Sequence, residues 1–409
     1  MTGPAASRRE DLASASGAAF PPLPRPAIIS LGSSRIREIA NAAMGRADVA
    51  AFWFGESDVP TPAHIRDAGI ASLSRNETFY GHNLGNPDLR AQLSVYLSRL
   101  HGADIGPERI AVTSSGVSAL MLTAEMLVSP GDRVAVIAPI WPNVAEQPRI
   151  MGAEMVRVPL EVRAGRWTLD LDRLRAALTP ETKVFYLNSP NNPTGWTIDA
   201  EALAAVREHC RRHGIWLVAD DVYERLSFGN RPAAPSLLPL IDPDERVISV
   251  NSFSKAWSMT GWRLGWLVAP SPFIGELGKV IEYNTSCAPG FVQAAALAAL
   301  DADSCEATVG ELRTRLKASR DLLITGLRQL EAVEVPEADG AMYAFFRIRG
   351  REDDMLLAKR LVAEAGLGLA PGSAFGPEGA GWLRWCFAAR PEKIADGLDR
   401  LRRFLGTNG

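Results

Sequence analysis

Between residues 109 and 270, short β-rich runs alternate with longer amphipathic stretches, and this alternation restricts the chain to few folds. The runs are RIAVTS (109–114), RVAVIAP (133–139), KVFYLNSP (183–190), IWLVAD (215–220), RVISVNS (246–252) and LGWLVAP (264–270). Helical patterns over 116–128, 170–178 and 200–213 lie between several of them. Such alternation predicts an α/β fold, a mainly parallel sheet covered by helices. Ligands of these sheets sit beyond the carboxyl ends of the strands. Polar residues collect at those ends. Ser114-Ser115-Gly116 follows the first run and Trp141 the second. Asn188 to Gly195 closes the third, Asp220 the fourth, and Ser252 to Lys255 the fifth. One edge of one sheet would gather all of them.

After about residue 300 the texture changes to a long charged helix (306–330), the run AMYAFFRIR (341–349), and then helix, loop and helix. This reads as a second, smaller α+β domain, and a chain of 409 residues has room for two cores. The formal charge of −3 gives no electrostatic reason to bind nucleic acid or an anionic membrane. No apolar run reaches membrane-spanning length. Four cysteines lie far apart, without metal-ligand or CxxC spacing, which predicts reduced thiols, no metal site and a cytoplasmic protein. The first residues contain Glu10 and Asp11 and lack an apolar signal core, so residues 1–28 are expected to be a flexible leader ending in PPLPRP. A transit peptide is the alternative there.

The residues able to do chemistry each admit a plain reading and a functional one. Lys255, in NSFSKAW, is either a lysine snorkelling from a strand end or a Schiff-base lysine whose pKa a confined site lowers. Arg263, in GWRLG, forms a surface ion pair or a fixed guanidinium beside a phosphate, with Ser252 and Ser254 as further donors. Ser115-Gly116-Val117 opens a helix, as an ordinary cap or as an anion site built from free N–H groups. In NSPNNPTG (188–195) two prolines and a glycine force an irregular backbone at a strand end. Asp220 is a helix cap or a carboxylate that keeps a heterocyclic nitrogen protonated, with Tyr223 three residues on.

In this order and spacing, NSPNNPTG, ADDVYE and SFSK followed by GWRLG resemble the class I/II aminotransferases of fold type I, from about Phe54 to the end of the chain. That resemblance implies a pyridoxal 5'-phosphate (PLP) enzyme with a seven-stranded, mainly parallel sheet. It transfers an amino group from an L-amino acid to a 2-oxo acid in a ping-pong cycle. Lys255 then carries the cofactor and shuttles the substrate proton. Asp220 partners the pyridinium nitrogen, and Asn192 and Tyr223 donate to the phenolic oxygen. Trp141 stacks on the ring, while Ser115, Gly116, Val117, Ser252, Ser254 and Arg263 cradle the phosphate. Arg384, in WLRWCF, and the backbone of Gly55 receive the substrate α-carboxylate. Asn192 also borders the substrate. Tyr80 and the segment Asn284 to Pro289 reach a neighbouring subunit, which implies a homodimer with shared sites. The implied organisation is a segment over 29–58 packing with the small domain, a large PLP-binding domain over 59–298 and a small domain over 299–409.

Several positions depart from the family pattern. Ser57 stands for the usual proline, Asp221 for a glutamate and Cys386 for a serine. Val117 replaces a lysine of some acidic-substrate relatives. Arg35 is therefore the candidate for a distal carboxylate, its plain reading being a solvated charge. Phe52, Trp53 and Phe54 either favour apolar substrates or belong to the core. The same lysine, aspartate and arginine also serve a β-lyase acting on cysteine conjugates. A non-catalytic regulator of this fold would need a DNA-binding domain, for which the stretch before residue 29 is expected to be too short.

Overall fold

The computed structural model describes residues 24–407, so the expectations for residues 1–23 lie outside the described residues. Residues 24–32 belong to a unit of their own, which holds a short helix at Pro26–Ile29. All that follows concerns the unit that starts at Ser33.

Its main sheet has seven strands: β1 Ile110–Thr113, β2 Arg133–Ala138, β3 Glu154–Pro159, β4 Thr182–Asn188, β5 Trp216–Asp220, β6 Val247–Ser252 and β7 Gly265–Val268. Their order in space is β1-β7-β6-β5-β4-β2-β3. β7 runs antiparallel to both neighbours, and every other pair is parallel. Six strands fall on the six β-rich runs. β3 has no such run: it is the sheet's edge, and most of its residues are only half-buried, so its sequence needs no apolar repeat.

Within a strand, alternate residues enter different cores. Val134 and Val136 join Val184, Tyr186 and Val218 on one face. Ala135 and Ile137 join Phe185, Leu187, Leu217 and Ala219 on the other. Because both faces are covered, these strands read as continuous apolar runs. Each fully buried Val or Leu contributes about 1.5–3 kcal/mol, so register is strongly fixed along every strand.

A second, antiparallel sheet contains β8 Val333–Glu334, β9 Tyr343–Ile348, β10 Ala370–Pro371 and β11 Trp382–Cys386, in the order β8-β9-β11-β10. The helices Ala302–Arg328 and Pro391–Thr407 pack on each other nearby, the first capped by Asp301, whose carboxylate accepts from Ser304 N at 3.2 Å. The segment leading into the main sheet is tied to this second sheet and to the short strand just before β10. Ala50–Ala51 pairs in parallel with Leu367–Gly368, and Phe52 O accepts from Cys386 N at 3.1 Å. Asp58 N donates to Ala388 O at 3.0 Å. Phe54 and Gly55 are thereby brought to the carboxyl ends of the main strands, where they line the same cavity as Asp220.

Candidate active site

The strand ends build the site from the backbone outward. Asn188 closes β4, and its Nδ2 donates to Asp220 O at the end of β5 at 3.1 Å. Its Oδ1 accepts from Asn192 N at 2.8 Å, which folds the 188–195 segment back over the strand ends. Asn191 pins the same loop, accepting from Thr194 N at 3.1 Å and Thr194 Oγ1 at 2.7 Å. The prolines and the glycine at Gly195 (φ 71°) thus serve a rigid loop that presents Asn192.

Beyond β6 the chain turns through Ser252, Ser254 and Lys255. The two serine hydroxyls meet at 2.8 Å. Arg263 sits in the left-handed region (φ 57°, ψ 63°) at the end of the turn Thr260–Trp262, a conformation that costs about 1–3 kcal/mol for a non-glycine residue. Its Nη1 donates to Thr260 O at 2.7 Å and to Ser254 Oγ at 3.4 Å. Opposite lies the N-terminus of the helix Gly116–Leu127, capped by Ser115 Oγ, which accepts from Ser118 N at 2.9 Å. Close approach of β7 to this helix depends on Gly265, because a Cβ there would stand 2.5 Å from Gly116 N.

These elements enclose one cavity of about 270 Å³. Lys255, Asp220, Tyr223, Asn192, Trp141 and Gly55 line it, together with Gly116, Val117, Ser252, Ser254, Arg263 and Arg384. Ser115 is not a wall residue; its hydroxyl caps the adjoining helix. Two candidates lie elsewhere. Tyr80 is 91% exposed and borders a surface hollow with Phe79, Cys287 and Ala288. Arg35 is exposed on the helix Arg35–Ala43, whereas its neighbour Ile36 lines the cavity and Arg37 lies over the Phe54 ring at 5.2 Å. Phe52 and Trp53 are buried in the core, and only Phe54 of that trio reaches the cavity.

The electrostatics are those of a site prepared for a charged ring and an anion. Asp220 is buried, and its Oδ1 accepts only a long 3.4 Å bond from Val222 N. Burial pushes its carboxyl up to about 7, so a cationic partner would restore the charged form. The Lys255 amine donates to Gly55 O, and burial pulls its pKa down to about 8, so far more of it is neutral and nucleophilic near pH 7 than for a solvated lysine. Arg384 is 2% exposed, and among the described residues no carboxylate pairs with it. Nη1 donates to Asn192 Oδ1 at 2.8 Å, Nη2 donates to Trp53 O, and Nε has no partner. The guanidinium lies between the rings of Tyr343 (4.4 Å) and Phe375 (4.8 Å). A buried cation without its anion costs several kcal/mol, and a bidentate carboxylate is the ligand that relieves this.

The departures leave these groups intact. Asp221 turns away and accepts from Ser249 Oγ at 2.6 Å, its carboxyl raised by burial and by Glu224. Cys386 Sγ faces Glu56 O at 3.7 Å, and burial raises its thiol pKa. Ser57 Oγ accepts from Val59 N at 3.2 Å. One wall residue that sequence reasoning missed is Tyr343, whose hydroxyl meets that of Tyr223 at 2.6 Å. It lay inside AMYAFFRIR, where alternating aromatics signal only a strand.

PLP fits these walls on three counts. The buried Asp220 carboxylate needs a cationic N–H. The helix start at Gly116 and Val117, with Ser252, Ser254 and Arg263, forms a phosphate-sized set of donors. The Lys255 amine has a lowered proton affinity. Fold and site together define a fold type I PLP-dependent transferase. The sequence matches the family model for aminotransferase class I and II over residues 49–401. It is 30% identical over 379 residues to an aspartate aminotransferase of Pyrococcus horikoshii, covering 92% of this chain and 96% of that protein. It is 32% identical to the aspartate/prephenate aminotransferase of Thermus thermophilus, covering 88% and 91%. Among solved structures, the Thermus thermophilus aspartate aminotransferase with maleate superposes with a TM-score of 0.87 at 31% identity, covering 94% of this chain and 100% of that one. The chain belongs to the class I and II aminotransferases, and as such it is a PLP-dependent enzyme that moves an amino group from an amino acid to a 2-oxo acid.

Proposed function

We propose that Lys255 is the residue through which this chain performs amino transfer, that Asp220 sets the charge of the cofactor ring, and that Arg384 selects α-amino acids. The observation that carries this reading is that all three line one cavity: an amine of lowered proton affinity, an under-supported carboxylate and a cation without a carboxylate. Bound PLP supplies an electron sink for the pair released at the substrate Cα. Everything else falls to the protein. Lys255 holds the cofactor at rest and, once displaced by substrate, carries the proton away from Cα. Arg384 grips the α-carboxylate and, with the backbone of Gly55, orients the Cα–H bond. Asn192 and Tyr223 donate to the cofactor's phenolic oxygen. Trp141 covers one face of the ring. The N–H groups of Gly116 and Val117, helped by Ser252, Ser254 and Arg263, hold the phosphate.

The same reading makes the enzyme a cytoplasmic homodimer. Tyr80, Phe79 and Tyr283 are among the most exposed large side chains of the described residues, at 91%, 85% and 92%. Aromatic exposure of this kind fits a surface that a second copy covers, with Tyr80 and the 284–289 loop reaching the other site. Among the described residues no helix is long and apolar enough to cross a membrane. The body divides into a large part over 59–298 and a small part over 299–409, and the pairing of residues 50–58 with 367–368 and 386–388 supports packing of the preceding segment on the small part. Aspartate, named for several relatives, is the first donor to try. Lys255→Ala tests the assignment: loss of transfer with the phosphate site still binding PLP is expected, and near-normal transfer would refute it.

A further inference from the structure

Tyr343 touches three parts of the site at once. Its hydroxyl lies 2.6 Å from that of Tyr223. Its ring carries the Arg384 guanidinium at 4.4 Å. Its Oη also fits against Gly55, where a Cβ would stand 2.0 Å away. The side chain is 1% exposed and rises from β9, which pairs with β11 through Tyr343 and Cys386.

We infer that Tyr343 is a positioning residue for amino transfer: its hydroxyl donates to Tyr223 and so leaves the Tyr223 proton to point at the cofactor, while its ring supports Arg384. This rests on the reading that Tyr223 faces the cofactor's phenolic oxygen. A phenol has one proton to give and lone pairs to receive. If Tyr223 gave its proton to Tyr343, it would have none left for the cofactor. A Tyr223 that gives its proton to the cofactor must therefore accept from Tyr343, the only direction in which the 2.6 Å contact leaves that proton free. Burial raises both phenols, with Arg384 opposing and Asp220 adding, and Cys386 also raises Tyr343. Lys255 also faces the pair, its Nζ 5.9 Å from the centre of the Tyr223 ring. Gly55 leaves the space that the Tyr343 hydroxyl occupies, because a Cβ there would overlap it.

The consequence is electrostatic. A Tyr223 that is itself a hydrogen-bond acceptor donates more strongly, which draws charge from the phenolic oxygen. The Lys255–cofactor linkage then holds its proton less tightly. The test is a spectrophotometric pH titration of the visible band of PLP-reconstituted wild type, Tyr343→Phe, Tyr223→Phe and the double variant. Tyr343→Phe keeps the ring and removes only the hydroxyl. Its midpoint is expected to rise by about 0.5–1 pH, the size of one hydrogen bond. Tyr223→Phe should rise at least as far, and the double variant should match Tyr223→Phe alone, because the Tyr343 effect passes through Tyr223. An unchanged midpoint in Tyr343→Phe, or shifts that add in the double variant, overturns the inference and leaves the Lys255 assignment standing. A wild type that takes up no PLP overturns both. Kinetics separate the ring from the hydroxyl: Tyr343→Phe should leave the KM for amino acid within about twofold, and Tyr343→Leu should raise it about 3- to 30-fold. Equal KM values in the two variants would contradict the support given to Arg384.

Discussion

Asn192 Oδ1 accepts a hydrogen bond from Arg384 Nη1 at 2.8 Å, joining the loop after β4 to strand β11 of the second sheet. The residue read as a cofactor ligand is therefore also the residue that orients the carboxylate arginine. Asn192→Ala should weaken both functions, whereas Arg384→Ala should act on substrate alone. With charge-assisted hydrogen bonds worth about 1.5–3 kcal/mol, Arg384→Ala is expected to raise the KM for α-amino acids by about 10- to 150-fold. It should leave PLP affinity unchanged. Steady-state kinetics and PLP titration check the pair; a KM unaffected in Arg384→Ala would remove the carboxylate role.

Cofactor capture should depend on pH through Lys255. Its pKa is lowered to about 8, chiefly by burial, and only the neutral amine attacks the aldehyde. Below that value each pH unit removes about tenfold of the neutral amine. Uptake of PLP by the cofactor-free enzyme should accelerate up to about pH 8 and then level off. Stopped-flow absorbance reads this directly. A rate still climbing tenfold per unit near pH 10 would mean an ordinary, solvated lysine.

Asp220→Asn should keep the cofactor's phosphate anchored while removing the charge that holds the ring nitrogen protonated. Loss of an electrostatic stabiliser aimed at developing charge costs about 10²- to 10³-fold in rate. The measurement is the single-turnover rate with an amino acid; an unchanged rate would assign Asp220 a purely structural part.

Gly265→Ala probes the phosphate cradle without touching a polar side chain. The new Cβ would lie 2.5 Å from Gly116 N and 2.7 Å from Asn251 O, both backbone atoms that cannot step aside cheaply. Over-packing of this kind costs about 1–3 kcal/mol. The PLP dissociation constant is expected to rise by about tenfold or more, and thermal stability to fall. Wild-type affinity in the variant would show that β7 does not need this close approach.

Much of this architecture was legible in the sequence. Both faces of the main sheet are dry, so β1, β2, β4, β5, β6 and β7 announce themselves as apolar runs, and their polar C-terminal residues converge as the topology requires. β3 was hidden because an edge strand with Glu154 and Arg157 obeys no such pattern. Lys255 and Asp220 could be singled out because each follows or ends an apolar run, Asn192 because it lies in the proline-rich NSPNNPTG segment, and Arg263 because it sits between glycines, where the chain turns left-handed. Tyr343 could not be found. It lies in a strand of aromatics, and nothing local marks which ring faces the cavity. Arg35 and Arg37 show the same limit on a helix, where one residue of offset rotates a side chain by about 100° and the cavity receives Ile36 instead.

The most direct test of the account is a half-reaction. PLP-reconstituted enzyme would be mixed with single L-amino acids, beginning with aspartate, with no acceptor present, while the visible band is followed. Loss of the band with stoichiometric 2-oxo acid, reversed by adding a second 2-oxo acid, and absent in Lys255→Ala, is the predicted result. No change with any amino acid, or ammonia and pyruvate released only from cysteine conjugates, would contradict amino transfer through Lys255.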